Sequence, residues 1–148
     1  MKKKSNSVTF TLWCNRLVML AVAVLVPSMP VLLRWYNTVR ILSQDQNLAL
    51  LAAFYCCVPV VLFALWQLER LLRNIRAEQV FVWENVNLIR AVGICCALVG
   101  VICLAAAFFY APLVFLSVIM AFLCPVVNVV RQVVRSAIES REENELTI

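Results

Sequence analysis

The chain has 148 residues, of which 64% are apolar and 14% are charged, and its formal net charge is +5. Soluble domains are about half apolar and about a quarter charged, so a soluble domain of this length could not hide this much apolar surface from water. The composition therefore excludes an ordinary soluble protein and indicates one integral membrane domain, residues 1–148.

Four segments are long and apolar enough to span a membrane, which takes about 20 residues. They are residues 12–33, 48–66, 89–109 and 112–130. The first could also be a signal peptide, because Lys2–Lys4 is a suitable charged start. However, Pro27–Pro30 offers no small-x-small cleavage site and the apolar run resumes at Val31, so we expect the segment to be retained. The fold class predicted is all-α, an integral membrane four-helix bundle.

The polar segments are the connector, residues 67–90, and the tail, residues 131–148. Leucines and arginines alternate with helical period up to Ile75, residues 77–81 reverse the chain, and a helix restarts near Glu84, so the connector is predicted to be a helical hairpin. The tail is predicted to extend the fourth helix and to fray from about Glu143, because its glutamates oppose the helix dipole.

Two features are predicted near the first loop, residues 34–47. Pro27 and Pro30 each lack a backbone donor, so we expect a kink or a loosened final turn in the first helix. Residues 43–46 are polar and could cap the second helix.

The distribution of Lys and Arg predicts the orientation. Eleven of these residues lie in the N-terminal segment, the connector or the tail, and two, Arg34 and Arg40, lie in the first loop. Because cytoplasmic segments carry the excess of positive charge, both termini and the connector are expected in the cytoplasm. The net charge is thus a signature of membrane topology. Direct nucleic-acid binding would need a contiguous basic face, and the sequence shows none.

The third span carries small residues at Gly93, Ala97 and Gly100, a spacing that lets helices approach closely in lipid. The partner at this face could be another span or a second copy, so a homo-oligomer is possible. The seven cysteines lie in apolar surroundings, and the chain has no histidine and no Cys-x-x-Cys, so we interpret them as free thiols without metal or cofactor.

No catalytic arrangement is recognisable in the sequence. There is no phosphate-binding glycine loop and no nucleophile with a base, so we do not expect an enzyme. No carboxylate lies in the middle of a span, where a proton-coupled exporter would be expected to carry one.

The connector and the tail together resemble the YoaS-like family of small bacterial membrane proteins, a domain-of-unknown-function family with four predicted spans. The resemblance is carried by residues 71–76, Phe81, residues 84–86, residues 88–90 and residues 142–148. Members usually have a glycine and a proline before the phenylalanine and a threonine after it, where this chain has Glu78, Val80 and Val82. The threonine would cap the next helix, and a valine has no side-chain acceptor for this.

The resemblance implies a bacterial inner-membrane location. Members of the family are often found beside small helix-turn-helix regulators, which implies a regulatory partner. Our main hypothesis is a non-enzymatic regulatory or scaffold protein that engages a cytoplasmic partner. The acidic tail is expected either to dock on the basic hairpin or to compete with the partner for the hairpin. The residues proposed for this role are Arg70, Arg73, Asn74, Arg76, Phe81, Asn85, Arg90, Glu142, Asn144, Leu146 and Ile148. The alternatives are a small oligomeric transporter or channel, and an accessory subunit that packs against a membrane complex through Gly93, Ala97 and Gly100.

Overall fold

A computed structural model describes the backbone of residues 2–147 and the side chains of residues 7–147. It has four helices: α1 (Lys2–Val39), α2 (Gln44–Arg76), α3 (Trp83–Ala107) and α4 (Leu113–Leu146). All four are long and apolar enough to cross a membrane, which confirms the predicted all-α, multi-pass fold. Residues 2–147 contain no strand.

The helices contact one another in chain order. Within the described residues, α1 packs on α2, α2 on α3, and α3 on α4, and no other pair of helices comes into close backbone contact. Helix α3 is the central element and carries most of the buried apolar side chains, including Val86, Ile89, Cys95, Val99 and Cys103. Most apolar residues of the other helices face outward, as expected for surfaces that contact lipid.

Helix α1 is longer than the predicted span, residues 12–33, and it continues past both prolines to Val39. Pro30 lacks the N–H that would reach the Val26 carbonyl, and the Tyr55 hydroxyl of α2 donates to that carbonyl instead, at 3.2 Å. The Ser28 hydroxyl also donates to the Val24 carbonyl at 2.9 Å. Of these two bonds, only the Tyr55 bond satisfies a carbonyl that a proline leaves free, and contacts of this kind allow proline inside membrane helices.

The start of α2 confirms the predicted cap. The Ser43 hydroxyl accepts from the Gln46 N–H at 3.4 Å, and the Gln46 side chain accepts from the Ser43 N–H at 3.2 Å. This is a reciprocal capping box. Val82, by contrast, precedes α3 and forms no side-chain cap. This agrees with the expectation that valine cannot replace the capping threonine found at this position in the family that the chain resembles.

The turn between α2 and α3 contains the only positive φ among the non-glycine residues described. The N–H of Glu78 donates to the Ile75 carbonyl at 3.1 Å, and that of Gln79 donates to the Asn74 carbonyl at 3.0 Å. These two bonds form a Schellman motif, and Glu78 occupies its left-handed position with φ of 61°.

The two ends of the molecule are distinct. The connector end holds the α2–α3 turn, the start of α1 and the end of α4. The loop end holds the α1–α2 loop and the α3–α4 turn, where the hydroxyls of Tyr36 and Tyr110 lie 2.9 Å apart. This hydrogen bond raises the pKa of Tyr110, because it favours the protonated phenol.

Helix α4 extends well beyond its apolar segment. The part after residue 130 continues to Leu146, about 24 Å of additional helix. The predicted fraying from Glu143 is therefore not seen. The pairs Arg135–Glu139 and Arg141–Glu145 are spaced by four residues and support this exposed extension.

Candidate functional site

The connector end is organised around Asn85, whose side chain is 1% exposed. Its amide donates to the carbonyls of Gln79 and Val80 at 2.7 and 2.9 Å. Its oxygen accepts from the Asn74 amide at 2.9 Å. One buried side chain thus joins the end of α2, the turn and the start of α3, and it satisfies carbonyls that would otherwise lack donors.

A second polar cluster ties α1 to α2. The Glu69 carboxylate, which belongs to a residue only 9% exposed, lies 2.8 Å from Arg73 on its own helix and 3.1 Å from Arg16 of α1. One turn away, the Asn15 amide donates to the Leu65 carbonyl at 3.2 Å. These contacts fix how α1 lies against α2, because apolar faces surrounded by lipid have little hydrophobic reason to associate.

The tail contacts the α2–α3 turn through aromatic residues. The Trp83 indole N–H donates to the Glu142 carboxylate at 2.9 Å. The Arg141 guanidinium lies over the Phe81 ring, 5.7 Å from its centroid. We name these four side chains, Phe81, Trp83, Arg141 and Glu142, the tail contact.

The tail contact differs from the expected pairing of basic hairpin with acidic tail. Arg70 pairs with Glu84 at 2.8 Å, and Arg73 pairs with Glu69, so both arginines are occupied by residues of the connector. Among the described residues, no hairpin arginine forms an ion pair with a tail glutamate. The Leu146 side chain is 87% exposed and supplies no apolar burial here.

The structure brings some of the predicted site residues together and separates others. Asn74 and Asn85 bond each other, and Phe81 and Glu142 belong to the tail contact. Arg76 and Asn144 are exposed, and Ile148 lies outside the described residues. Arg90 lies on another face, where it lines a groove between α3 and α4.

The small residues of α3 pack against α4. A methyl group added at Gly93 would lie 3.3 Å from the Val127 side chain, and one at Gly100 would lie 3.3 Å from Met120. The Ser117 hydroxyl donates to the Gly100 carbonyl at 3.0 Å. Ala97 is exposed in the groove beside them.

Sequence reasoning did not select Asn15, Arg16, Glu69, Trp83 or Glu84 as site residues. Glu69 and Arg73 are four apart on one helix, and this spacing could have indicated their pair. The partners Arg16 and Trp83 lie 53 and 59 residues from Glu69 and Glu142 respectively, and no local pattern reveals such contacts.

No cluster of three or more potential metal ligands occurs in the described part of the chain, and its seven cysteines are free thiols.

No curated protein and no solved structure matches the sequence. One family does match, over residues 3–148, nearly the whole chain, and its description is "Protein of unknown function (DUF2975)". The four-span layout and this match together show that the chain belongs to the DUF2975 family of proteins of unknown function.

Proposed function

We propose that this is a non-enzymatic membrane protein of the bacterial inner membrane that acts as a regulator or scaffold by engaging a cytoplasmic protein at its connector end. The observation that carries the proposal is the tail contact. It joins the C-terminal helix to the start of α3 through Trp83 and Glu142, so two distant segments form one surface.

The charge distribution supports a cytoplasmic connector end. Eleven of the thirteen Lys and Arg residues belong to segments at that end of the molecule, and positive charge marks cytoplasmic loops. The fully exposed Ile41 lies at the loop end, and the exposed Arg76 at the connector end. In intact cells, a membrane-impermeant thiol reagent should label Ile41→Cys and spare Arg76→Cys, and the reverse pattern would refute this orientation.

The surface at the connector end has the composition of a protein-binding site. Phe81 is half-exposed, Leu146 is almost fully exposed, and Arg76 has no ion-pair partner among the described residues. Aromatic and arginine side chains are enriched at the centres of protein interfaces. The partner class that the family resemblance suggests is a small helix-turn-helix regulator.

The test is site-specific photo-crosslinking in native membranes. A crosslinker at Arg76 or at Leu146 should capture the same protein, and one at Ile41 should not. Replacing Trp83 by Phe keeps the aromatic ring but removes the bond to Glu142, so it should reduce capture from both positions. Capture that is equal from Ile41, or unchanged by Trp83→Phe, would refute the proposal.

The apolar lining of one groove, between α2, α3 and α4, supports a regulator over the transporter alternative. The groove between α2, α3 and α4 is lined by apolar residues apart from Asn85, whose polar atoms are already bonded. A transport pathway would need polar groups or water along its length. Substrate-dependent flux in liposomes containing the purified protein would favour transport instead.

A further inference from the structure

A groove of about 690 Å³ runs between α3 and α4 along the apolar part of the molecule. Its floor is formed where Gly93 and Gly100 bring the two helices close together. Its walls include Ala97, Val101 and Leu104, which are exposed and therefore face lipid. The groove is open along its side, so a molecule in the bilayer could enter it laterally.

Two arginines lie at one end of this groove. Arg90 of α3 and Arg131 of α4 both line it, and Asn128, which precedes Arg131 by about one turn of α4, lines it as well. Gly93 faces Val127, and this antiparallel register places Arg90 and Arg131 at the same level. Within the described residues neither arginine has an ion-pair partner, whereas Arg16, Arg70, Arg73, Arg135 and Arg141 each have one.

We propose that this groove binds an anionic phospholipid, with the headgroup phosphate held by Arg90 and Arg131 and one acyl chain lying along Gly93, Ala97 and Gly100. Paired guanidinium groups match the geometry of a phosphate, and basic pockets between membrane helices are suited to acidic headgroups. Asn128 supplies a further donor beside the same phosphate.

The dimensions of the groove fit this ligand. From Arg90 to Leu104 the helix rises by about 21 Å. One leaflet of the hydrocarbon core is about 15 Å deep, so a chain that starts at the arginines is covered over its full depth. The arginines lie at the boundary predicted for the third and fourth spans, residues 89 and 130, where the headgroups of that leaflet begin.

Charge complementarity favours a lipid over a second copy of the chain. Two copies in one membrane share the same orientation, so a twofold contact through this face would place four unpaired arginines at one depth. Like charges held together in this way oppose association. An anionic headgroup, in contrast, brings a negative charge that attracts both arginines and offsets part of their mutual repulsion.

The test is native mass spectrometry of the purified full chain, titrated with phosphatidylglycerol or with phosphatidylcholine of the same acyl composition. The wild type should retain phosphatidylglycerol preferentially. The double variant Arg90→Gln/Arg131→Gln should bind it about thirtyfold more weakly, as expected for the loss of two basic residues at a membrane surface. The control Arg34→Gln/Arg40→Gln removes the same charge at the loop end, away from the groove, and should bind as the wild type does.

A second variant tests the acyl-chain part of the site and guards against misfolding. Ala97→Phe fills the exposed middle of the groove and leaves both arginines in place, so it should also lose the retained lipid. Equal loss in the Arg34/Arg40 control, or unchanged lipid binding in either groove variant, would overturn the proposal. A dimer mass that Ala97→Phe abolishes while lipid binding persists would instead assign the groove to a second copy.

Discussion

Replacing Glu78 by glycine should stabilise the protein. Glu78 has φ of 61° at the left-handed position of the Schellman motif that ends α2, a position usually occupied by glycine. In this conformation a residue with a Cβ destabilises the folded state by about 1–2 kcal/mol. Glycine removes this strain, but the greater conformational freedom of its unfolded chain lowers the free energy of unfolding by about 0.4–1 kcal/mol. The net gain expected for Glu78→Gly is about 0.5–1 kcal/mol.

The matched control is Glu78→Ala, which removes the carboxylate but keeps the Cβ. Because Glu78 is exposed and forms no ion pair within the described residues, alanine should change the free energy of unfolding by less than about 0.5 kcal/mol. The difference between the two variants therefore isolates the backbone conformation from the charge.

The assay uses the protein's own cysteines. Cys95 and Cys103 are buried in the core around α3, so they react with a thiol-reactive dye only after the helices separate. The midpoint of this late labelling phase, in detergent or lipid, reports unfolding and should rise for Glu78→Gly. If glycine were no more stable than alanine at this position, the strain assigned to Glu78 would be refuted.

Two further substitutions test the polar contacts of the connector end with the same assay. Asn85→Ala should cost about 2–4 kcal/mol, because it leaves two turn carbonyls and the Asn74 amide without their partner, while the exposed Asn87→Ala should be nearly neutral. Equal losses of unfolding free energy in Asn85→Ala and Asn87→Ala would contradict the conclusion that Asn85 holds the α2–α3 turn together. Glu69→Gln should cost about 1–2 kcal/mol by weakening two guanidinium contacts, and Glu84→Gln, which loses one exposed pair, less than about 1 kcal/mol. A larger loss for Glu84→Gln would show that the Glu69 cluster does not hold α1.

Much of the fold follows from one-dimensional patterns in the sequence. The apolar runs predicted four spanning helices, the polar residues near Ser43 predicted its cap, and the loss of helical period after Ile75 predicted the turn at residues 77–81. Each of these features depends on residues within a few positions of one another, or on composition averaged over a span.

The remainder depends on contacts between distant segments. Where α1 passes Pro30, the Tyr55 hydroxyl from α2 bonds the Val26 carbonyl, and the two prolines alone gave no indication of this contact. The tail contact likewise needs Trp83 and Glu142 to meet, while charge counting suggested arginine–glutamate pairs. Charge complementarity does not specify which residues meet, since arginines such as Arg70 find nearer carboxylates.

The two ends at which α1 is held have a consequence for the surrounding membrane. Arg16 bonds Glu69 at the connector end, and Tyr36 bonds Tyr110 at the loop end. The anchoring residues of α1 are 20 positions apart, which corresponds to about 30 Å, close to the thickness of a hydrocarbon core. A free helix adapts to a thicker or thinner bilayer by tilting, but α1 cannot tilt or slide without breaking one anchor. Around this protein, the lipid has to adjust its own thickness to the helix.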